Sequence, residues 1–293
     1  MKDRILVIDG TYLAYRSYYA TMYSGGAILQ NSKGIKTNAI VAFFNTFSLL
    51  IKYYHPENVF FAFDSHIKTF RHEMFKEYKA TRQKAPQDFY IQLNLIQDIL
   101  TNVNIKNLYK DGFEADDLVA KIVKMFPDNE ILIFSADQDL NQLVDNNVSI
   151  IKKKNSEYIL LTKNNFHEYY DFMPNQVIDY KAMIGDSSDN FKGIPGIGPK
   201  TASKLLNKYG TLDEIYKSIN ELPKVLQNKL NDFKEHAIRD KYLATLRSDF
   251  DLNVSNINEL SLQNVSVTKI GNEILEDLEL NFISQFLHSL EVN

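Results

Sequence analysis

The chain has 293 residues, 44% of them hydrophobic, and a net charge of −4 from 33 basic and 37 acidic residues. That length supports one large domain or two moderate ones with real cores. The charge excludes a uniformly cationic coat for nucleic acid and leaves only local patches. No apolar run reaches the ~18 residues of a membrane-spanning helix, and zero cysteines exclude disulfides and thiolate metal sites.

The start, MKDRILVIDG, enters a strand-like run at once, so no signal peptide is expected. A reducing cytoplasm fits the absence of cysteine. Residues 4–8, RILVI, end at Asp9-Gly10. Residues 37–54, TNAIVAFFNTFSLLIKYY, carry apolar side chains at helical spacing, with Thr37 or Asn38 as the cap and His55-Pro56-Glu57 as the break. A second apolar run, NVFFAF at 58–63, ends at Asp64. Helices are predicted from Asp88 to Val103 and from near Glu114 to Pro127. A third apolar run, EILIFSA at 130–136, ends at Asp137, with Asp139 two further on. VSIIKKK and EYILL predict a hairpin joined through Asn155-Ser156, its triple lysine serving as an edge-strand device. Apolar runs alternating with helical patterns predict an α/β fold with a mainly parallel sheet. From Pro174 the pattern is helical, so a boundary is placed near Met173, giving regions 1–173 and 174–293. There is no internal repeat or low-complexity tract.

Asp9, Asp64 and Asp137 each end an apolar run. Ligands of open α/β sheets bind outside the carboxyl ends of parallel strands, so the three would meet at one rim. Aspartate also terminates strands simply as a turn residue. Two further clusters weigh against that plainer reading. FEADDLVAKI holds Glu114, Asp116 and Asp117, and GDSSDN holds Asp186 and Asp189. Acid at a helix start gains only roughly 0.3 to 1 kcal/mol per residue, a weak reason to crowd three carboxylates. With Asp139 the set numbers nine. Two unit charges about 4 Å apart repel by about 1 kcal/mol in water and about 4 at an effective dielectric of about 20. Such a cluster needs cations or protons. Oxygen ligands without cysteine, and without a histidine set, suit Mg²⁺ or Mn²⁺. Two such ions about 3.5 to 4 Å apart activate water and stabilise the leaving oxygen of a phosphodiester.

Between Lys68 and Lys84, six basic residues (Lys68, Arg71, Lys76, Lys79, Arg82 and Lys84) interleave with Phe70, Phe75 and Tyr78. The pattern reads as a solvated helix face or as a nucleic-acid surface with stacking groups. GIPGIGPKTASKLL at 193–206 approaches a phosphate loop, but Pro199 between Gly198 and Lys200 breaks the GxxxxGK[ST] spacing. The stretch fits a hairpin between two helices, with Pro199 in the first turn of the second. Gly193, Gly196 and Gly198 would let the backbone approach a phosphate, with Lys200 and Thr201 at the helix start.

The ordered set LVIDGTYLAYRSYYA, FAFDSHIKTFRHEMFKEYKATR, GFEADDLVA, FSADQDLNQLV and MIGDSSDNFKGIPGIGPKTASKLL resembles the bacterial 5' nucleases, the flap-endonuclease-like domain that begins DNA polymerase I. The resemblance covers nearly the whole chain. No polymerase portion follows, which implies a free-standing nuclease or a fragment. It implies a PIN-like twisted sheet flanked by helices, a helical arch at about 66–90 and a helix-hairpin-helix at about 185–210. It assigns Asp9, Asp64, Glu114, Asp116 and Asp117 to a first metal and Asp137, Asp139, Asp186 and Asp189 to a second. It places Lys79 and Arg82 on the scissile phosphate, gives Arg71 a family position, and sets Arg16 on a helix bordering DNA.

The implied activity is Mg²⁺- or Mn²⁺-dependent 5'-3' exonuclease and 5'-flap endonuclease cleavage in replication and repair, leaving 5'-phosphates and 3'-hydroxyls. Implied partners are DNA 5' ends, flaps and nicks, RNA–DNA hybrids, and a separate DNA polymerase. The chain would act as a monomer at the nucleoid, with K⁺ held by backbone oxygens of the hairpin. Two other readings compete. A phosphatase using Asp137 as nucleophile leaves the other acidic clusters unexplained. A non-catalytic module for branched DNA does not need all nine carboxylates.

Overall fold

The computed structural model describes residues 3–22, 28–154 and 157–291. Its sheet comprises β1 (Arg4–Asp9), β2 (Asn58–Ala62), β3 (Asn107–Leu108), β4 (Glu130–Phe134), β5 (Val148–Lys154) and β6 (Glu157–Leu161), in the order β3-β2-β1-β4-β5-β6. Neighbours run parallel except β5 and β6, which pair antiparallel. The predicted mainly parallel α/β sheet is therefore present. The joint of the predicted hairpin, Asn155-Ser156, lies outside the described residues. β5 is an inner strand, but its pairing with β4 stops at Ile151, so the triple lysine runs beyond β4 and pairs with β6 alone.

Side chains alternate faces along a strand. Leu6 and Ile8 join Val59, Phe61, Leu132 and Phe134 in one buried cluster, while Ile5 and Val7 join Phe60, Ala62, Ile131 and Ile133 in another. Both faces are dry, so these strands read as unbroken apolar runs. The sheet half carries α1 (Gly10–Met22), α2 (Asn38–Tyr54), α3 (Phe70–Met74), α4 (Gln87–Asn102) and α5 (Ala115–Met125). Phe43 and Phe47 of α2 meet Phe61 with ring centroids 5.5 and 5.1 Å apart. Such pairs add about 0.5–1.5 kcal/mol beyond their burial. Thr37 stands at the start of α2, yet its side chain makes no cap bond.

After β6 come α6 (Val177–Ile184), α7 (Pro199–Tyr209), α8 (Leu212–Lys217), α9 (Lys224–Asp232), α10 (Lys234–Ala244), α11 (Lys269–Asp277) and α12 (Asn281–Leu290). Met183, Ile197, Leu206, Ile215, Leu230 and Ala237 tie α6 to α10 into a small helical core. Helices α11 and α12 return to the first face of the sheet half, burying Leu275, Ile283 and Leu287 there.

The expected helical arch takes another form. Within 66–90 the chain forms the five-residue α3, then turns, and becomes helical again only at Gln87. Lys79 adopts φ +52°, outside the helical region, and buried Tyr78 draws the segment inward. Pro86 favours extended backbone at Ala85.

Candidate active-site cleft and cation centres

Strand order reverses between β1 and β4, the place where open α/β sheets bind ligands. Asp9 ends β1, Asp64 lies just past β2 and Asp137 just past β4. Asp116, in the first turn of α5, joins them along one cleft of about 330 Å³, faced by Lys79 and Arg82. Helix α1 starts directly after Asp9. A Cβ at Gly10 would lie 2.5 Å from the Phe63 ring, so only glycine allows so abrupt a start.

Asp9 accepts hydrogen bonds from Tyr12 N (2.9 Å) and Ser135 Oγ (3.0 Å). Burial, reinforced by Asp64, still pushes its carboxyl up to about 7. Burial also holds Asp116 well above the ordinary carboxylate range, with Asp137 and Asp9 adding to the effect. Each charge here disfavours the next. Asp64 is fixed from both sides: its Oδ1 accepts Ala115 N at 2.8 Å, and its N–H reaches Thr11 Oγ1 at 2.8 Å.

A second group lies behind Asp137. Lys181 Nζ sits 2.5 and 2.6 Å from the two Asp139 oxygens, 2.8 Å from Asp186 and 2.8 Å from Asp189. Burial pushes Asp139 up to about 7 against the pull of Lys181. Burial raises Asp186 too, but Lys181 and the Ser188 hydrogen bonds outweigh it and hold the group at about 2. The loop carrying Asp186 and Asp189 closes by paired hydrogen bonds between Asp186 and Phe191. Gly185 and Gly193 let its two ends cross, since a Cβ on Gly193 would lie 2.4 Å from Gly185 N.

The basic segment lies across this loop. Tyr78 stacks on Phe191 with centroids 5.8 Å apart and donates to Glu114 Oε2 at 2.9 Å. Lys79 Nζ donates to Glu114 Oε1 at 2.8 Å, while its N–H reaches Asp189 O at 3.3 Å. Arg82 Nη2 donates to Asp189 Oδ1 at 3.2 Å. Burial raises Glu114, but Lys79 and Arg71 outweigh it and bring the group down to about 2. Desolvation lowers the pKa of half-buried Lys79, but Glu114 and Asp189 outweigh it and raise it.

Among the described residues, no three carboxylate or imidazole groups close on one point as a finished ion cage. Ammonium groups stand between them instead. The donor set nonetheless fits a hard divalent cation: oxygens only, crowded, and with no basic partner paired to Asp9, Asp64, Asp116 or Asp137 among the described residues.

Five expectations are corrected. Glu114 borders the cleft but is paired with Lys79. Asp137 lines the cleft with Asp9, Asp64 and Asp116, the group expected at the first metal. Asp117 does not reach the cleft. It is fully buried, and its oxygens are taken by Arg71, Arg247 N and Glu114 N. Arg71 is no DNA contact, because it is 2% exposed and also donates to Leu243 O at 2.8 Å. Gly193 is buried in the loop crossing rather than offered to a phosphate. Arg16 is half-buried against the Phe134 ring, 5.7 Å away. Gly196, Gly198 and Lys200 are exposed at the hairpin and Thr201 is half-buried, with Pro199 at the first position of α7. Gly196 O already accepts Lys229 Nζ at 3.0 Å. An exposed ammonium thus stands at one of the backbone oxygens where K⁺ was expected.

Residues 4–171 match the family described as 5'-3' exonuclease, N-terminal resolvase-like domain, and residues 172–289 match the 5'-3' exonuclease, C-terminal SAM fold. The chain belongs to the 5'-3' exonuclease family. The 5'-3' exonuclease of Mycoplasmopsis pulmonis is 38% identical over 281 residues, covering 94% of this chain and 90% of that protein. DNA polymerase I of Bacillus subtilis is 34% identical over 291 residues, covering 98% of this chain but 32% of that polymerase. In fold, the chain is similar to the bacteriophage T5 flap endonuclease in a pseudo-enzyme-product complex with DNA and metal ions. That likeness has a TM-score of 0.69 at 20% identity and covers 97% of this chain and 99% of that one. It is also similar to T5 5'-exonuclease bound to zinc, with TM-score 0.67 at 22% identity, covering 97% and 99%.

Within this 5'-3' exonuclease fold, Lys181 and Tyr78 join the site unannounced by the sequence. A lysine inside the apolar VIDYKAMI helix was the available signal for Lys181. Tyr78 had none beyond its place in an aromatic, basic run.

Proposed function

We propose that this 5' nuclease hydrolyses DNA phosphodiesters at 5' ends and 5' flaps, with Mg²⁺ or Mn²⁺ held by Asp9, Asp64, Asp116 and Asp137. Asp139, Asp186 and Asp189 would form a second position. The observation that carries the reading is the facing of four unpaired carboxylates by Lys79 and Arg82 across one cleft. When bound, the metals would lower the pKa of water and stabilise charge on the phosphate.

The chain's own residues do the positioning. Ser135 and Tyr12 N–H hold the Asp9 oxygens in place, and Ala115 N–H holds Asp64. Lys79 and Arg82, now paired with Glu114 and Asp189, would turn to the scissile phosphate and offset its developing charge. The exposed glycine hairpin and Lys200, in the helical region after residue 173, would hold the duplex backbone without reading sequence. The products would be a 5'-phosphate and a 3'-hydroxyl. RNA–DNA hybrids as substrates, a separate polymerase as partner and a monomeric state at the nucleoid belong to the same proposal. Among the described residues, no helix is long and apolar enough to cross a membrane.

A labelled 5'-flap substrate titrated with Mg²⁺ and Mn²⁺ tests the reading. Cutting near the junction that EDTA stops is the expected result. Binding without cutting under either metal would favour the non-catalytic branched-DNA module instead.

A further inference from the structure

We propose that Lys181 is a built-in counter-ion of the inner carboxylate group, and that a divalent cation loads there by displacing its ammonium. The inference rests on the reading that Asp139, Asp186 and Asp189 hold metal. Lys181 Nζ contacts oxygens of all three at 2.5 to 2.8 Å. A hard cation sits about 2.0–2.6 Å from the same kind of oxygen, so both cannot share the space among these carboxylates. Like charges that close also repel strongly in a buried pocket.

The place is built for an ammonium. Lys181 comes from α6, is 8% exposed, and its flexible stem crosses the pocket from the helix that precedes the Asp186 loop. The Phe191 ring, 5.6 Å from Nζ, offers the displaced charge a second resting face. The outer cleft differs. Among the described residues, Asp9, Asp64, Asp116 and Asp137 have no basic group paired to them, because Lys79 is held by Glu114 and Arg82 by Asp189. Metal therefore fills the outer cleft first. The inner position fills only at concentrations high enough to expel Lys181, and this graded loading makes the second ion conditional.

Calorimetric titration of the full chain with Mn²⁺ alone, at one neutral pH, tests this. Wild type should bind in a tight and a weak phase. Lys181→Met should tighten the weak phase by about fivefold or more, the factor a unit charge about 4 Å away carries at water-like screening. Lys181→Arg, which keeps the charge, should not tighten it. In EDTA, Lys181→Met should melt below wild type, and Mn²⁺ should close most of that gap. If Lys181→Met does not fold, the Lys181→Met/Asp189→Asn pair is compared with Asp189→Asn alone, and the pair should bind the weak-phase ion more tightly. A weak phase unchanged or weakened by loss of the lysine charge overturns the displacement. Wild type that binds no Mn²⁺ at all would instead defeat the metal-centre reading beneath it.

Discussion

Arg71 and Asp117 face each other through two parallel hydrogen bonds, Nη1 to Oδ2 at 2.6 Å and Nη2 to Oδ1 at 2.8 Å, where neither side chain is more than 2% exposed. The pair ties three distant segments together. Arg71 also donates to Leu243 O, and Asp117 also accepts Arg247 N. Removing one partner leaves a buried charge uncompensated, which costs about 3–5 kcal/mol. Arg71→Ala should therefore lower stability by that order in urea unfolding. If Arg71 instead served as a phosphate contact, the variant would keep its stability and lose DNA affinity.

Asp137 lines the cleft at the reversal of strand order, and its Oδ1 accepts Asp139 N at 2.8 Å. Asp137→Ala should abolish turnover while flap-DNA affinity, measured in Ca²⁺ or EDTA, stays close to wild type. Cleavage near the wild-type rate would remove Asp137 from the metal centre.

Lys79 is placed by a left-handed backbone turn and by Glu114 at 2.8 Å. Loss of one preorganised charge at a reacting oxyanion typically costs about 10²–10³-fold in rate. Lys79→Ala should slow single-turnover cleavage by that order with saturating metal. An unchanged rate would assign Lys79 to folding of the segment alone.

Without metal, stability depends on pH through several raised carboxylates, Asp64, Asp116, Asp139 and Asp9, and Asp9 shows the sign. Its carboxyl is raised to about 7 in the fold and stays near 4 when unfolded. Between those values the folded state holds a proton that the unfolded chain has lost, so Asp9 costs stability as pH rises from about 4.5 to 7. Glu114 and Asp186, both held near 2, are ionised in the fold throughout that window, and they add no further pH dependence once the unfolded chain has ionised them too, by about pH 5.5. His72, lowered by burial, pulls the other way. The difference between Asp9→Asn and wild type isolates the effect. In EDTA the variant should gain in melting temperature relative to wild type as pH rises through the window. A constant difference would show that Asp9 is not raised.

At the hairpin, Lys200 is exposed beside Gly198 at the start of α7. If it meets a duplex phosphate, Lys200→Ala should weaken binding equally across sequences. It should also reduce the slope of log affinity against log salt by about 0.9. A sequence-dependent loss would contradict backbone contact.

The strands were legible because both faces of the sheet are buried, leaving unbroken apolar runs that stop at Asp9, Asp64 and Asp137. Helices α2, α4 and α5 were legible from apolar spacing and came within two residues of their predicted ends. β3 was not, since two residues carry no pattern. The form of the arch segment was not legible, because local charge and aromatic content do not say whether a basic segment stands free or folds onto an acidic loop.

By itself the sequence determined which residue types crowd one rim. Acid at the ends of apolar runs is a local pattern, and parallel strands carry those ends to one side. Only the tertiary structure decided which carboxylates stay open and which are already answered. Asp116 and Asp117 are adjacent in the chain, yet a helix turns successive side chains about 100° apart. One therefore enters the cleft, and the other is locked behind it by Arg71. Lys181 is likewise an unremarked lysine in an apolar helix until folding sets its ammonium among three carboxylates drawn from two distant segments. Charge compensation at close range is a property of positions in space, and sequence spacing does not encode it.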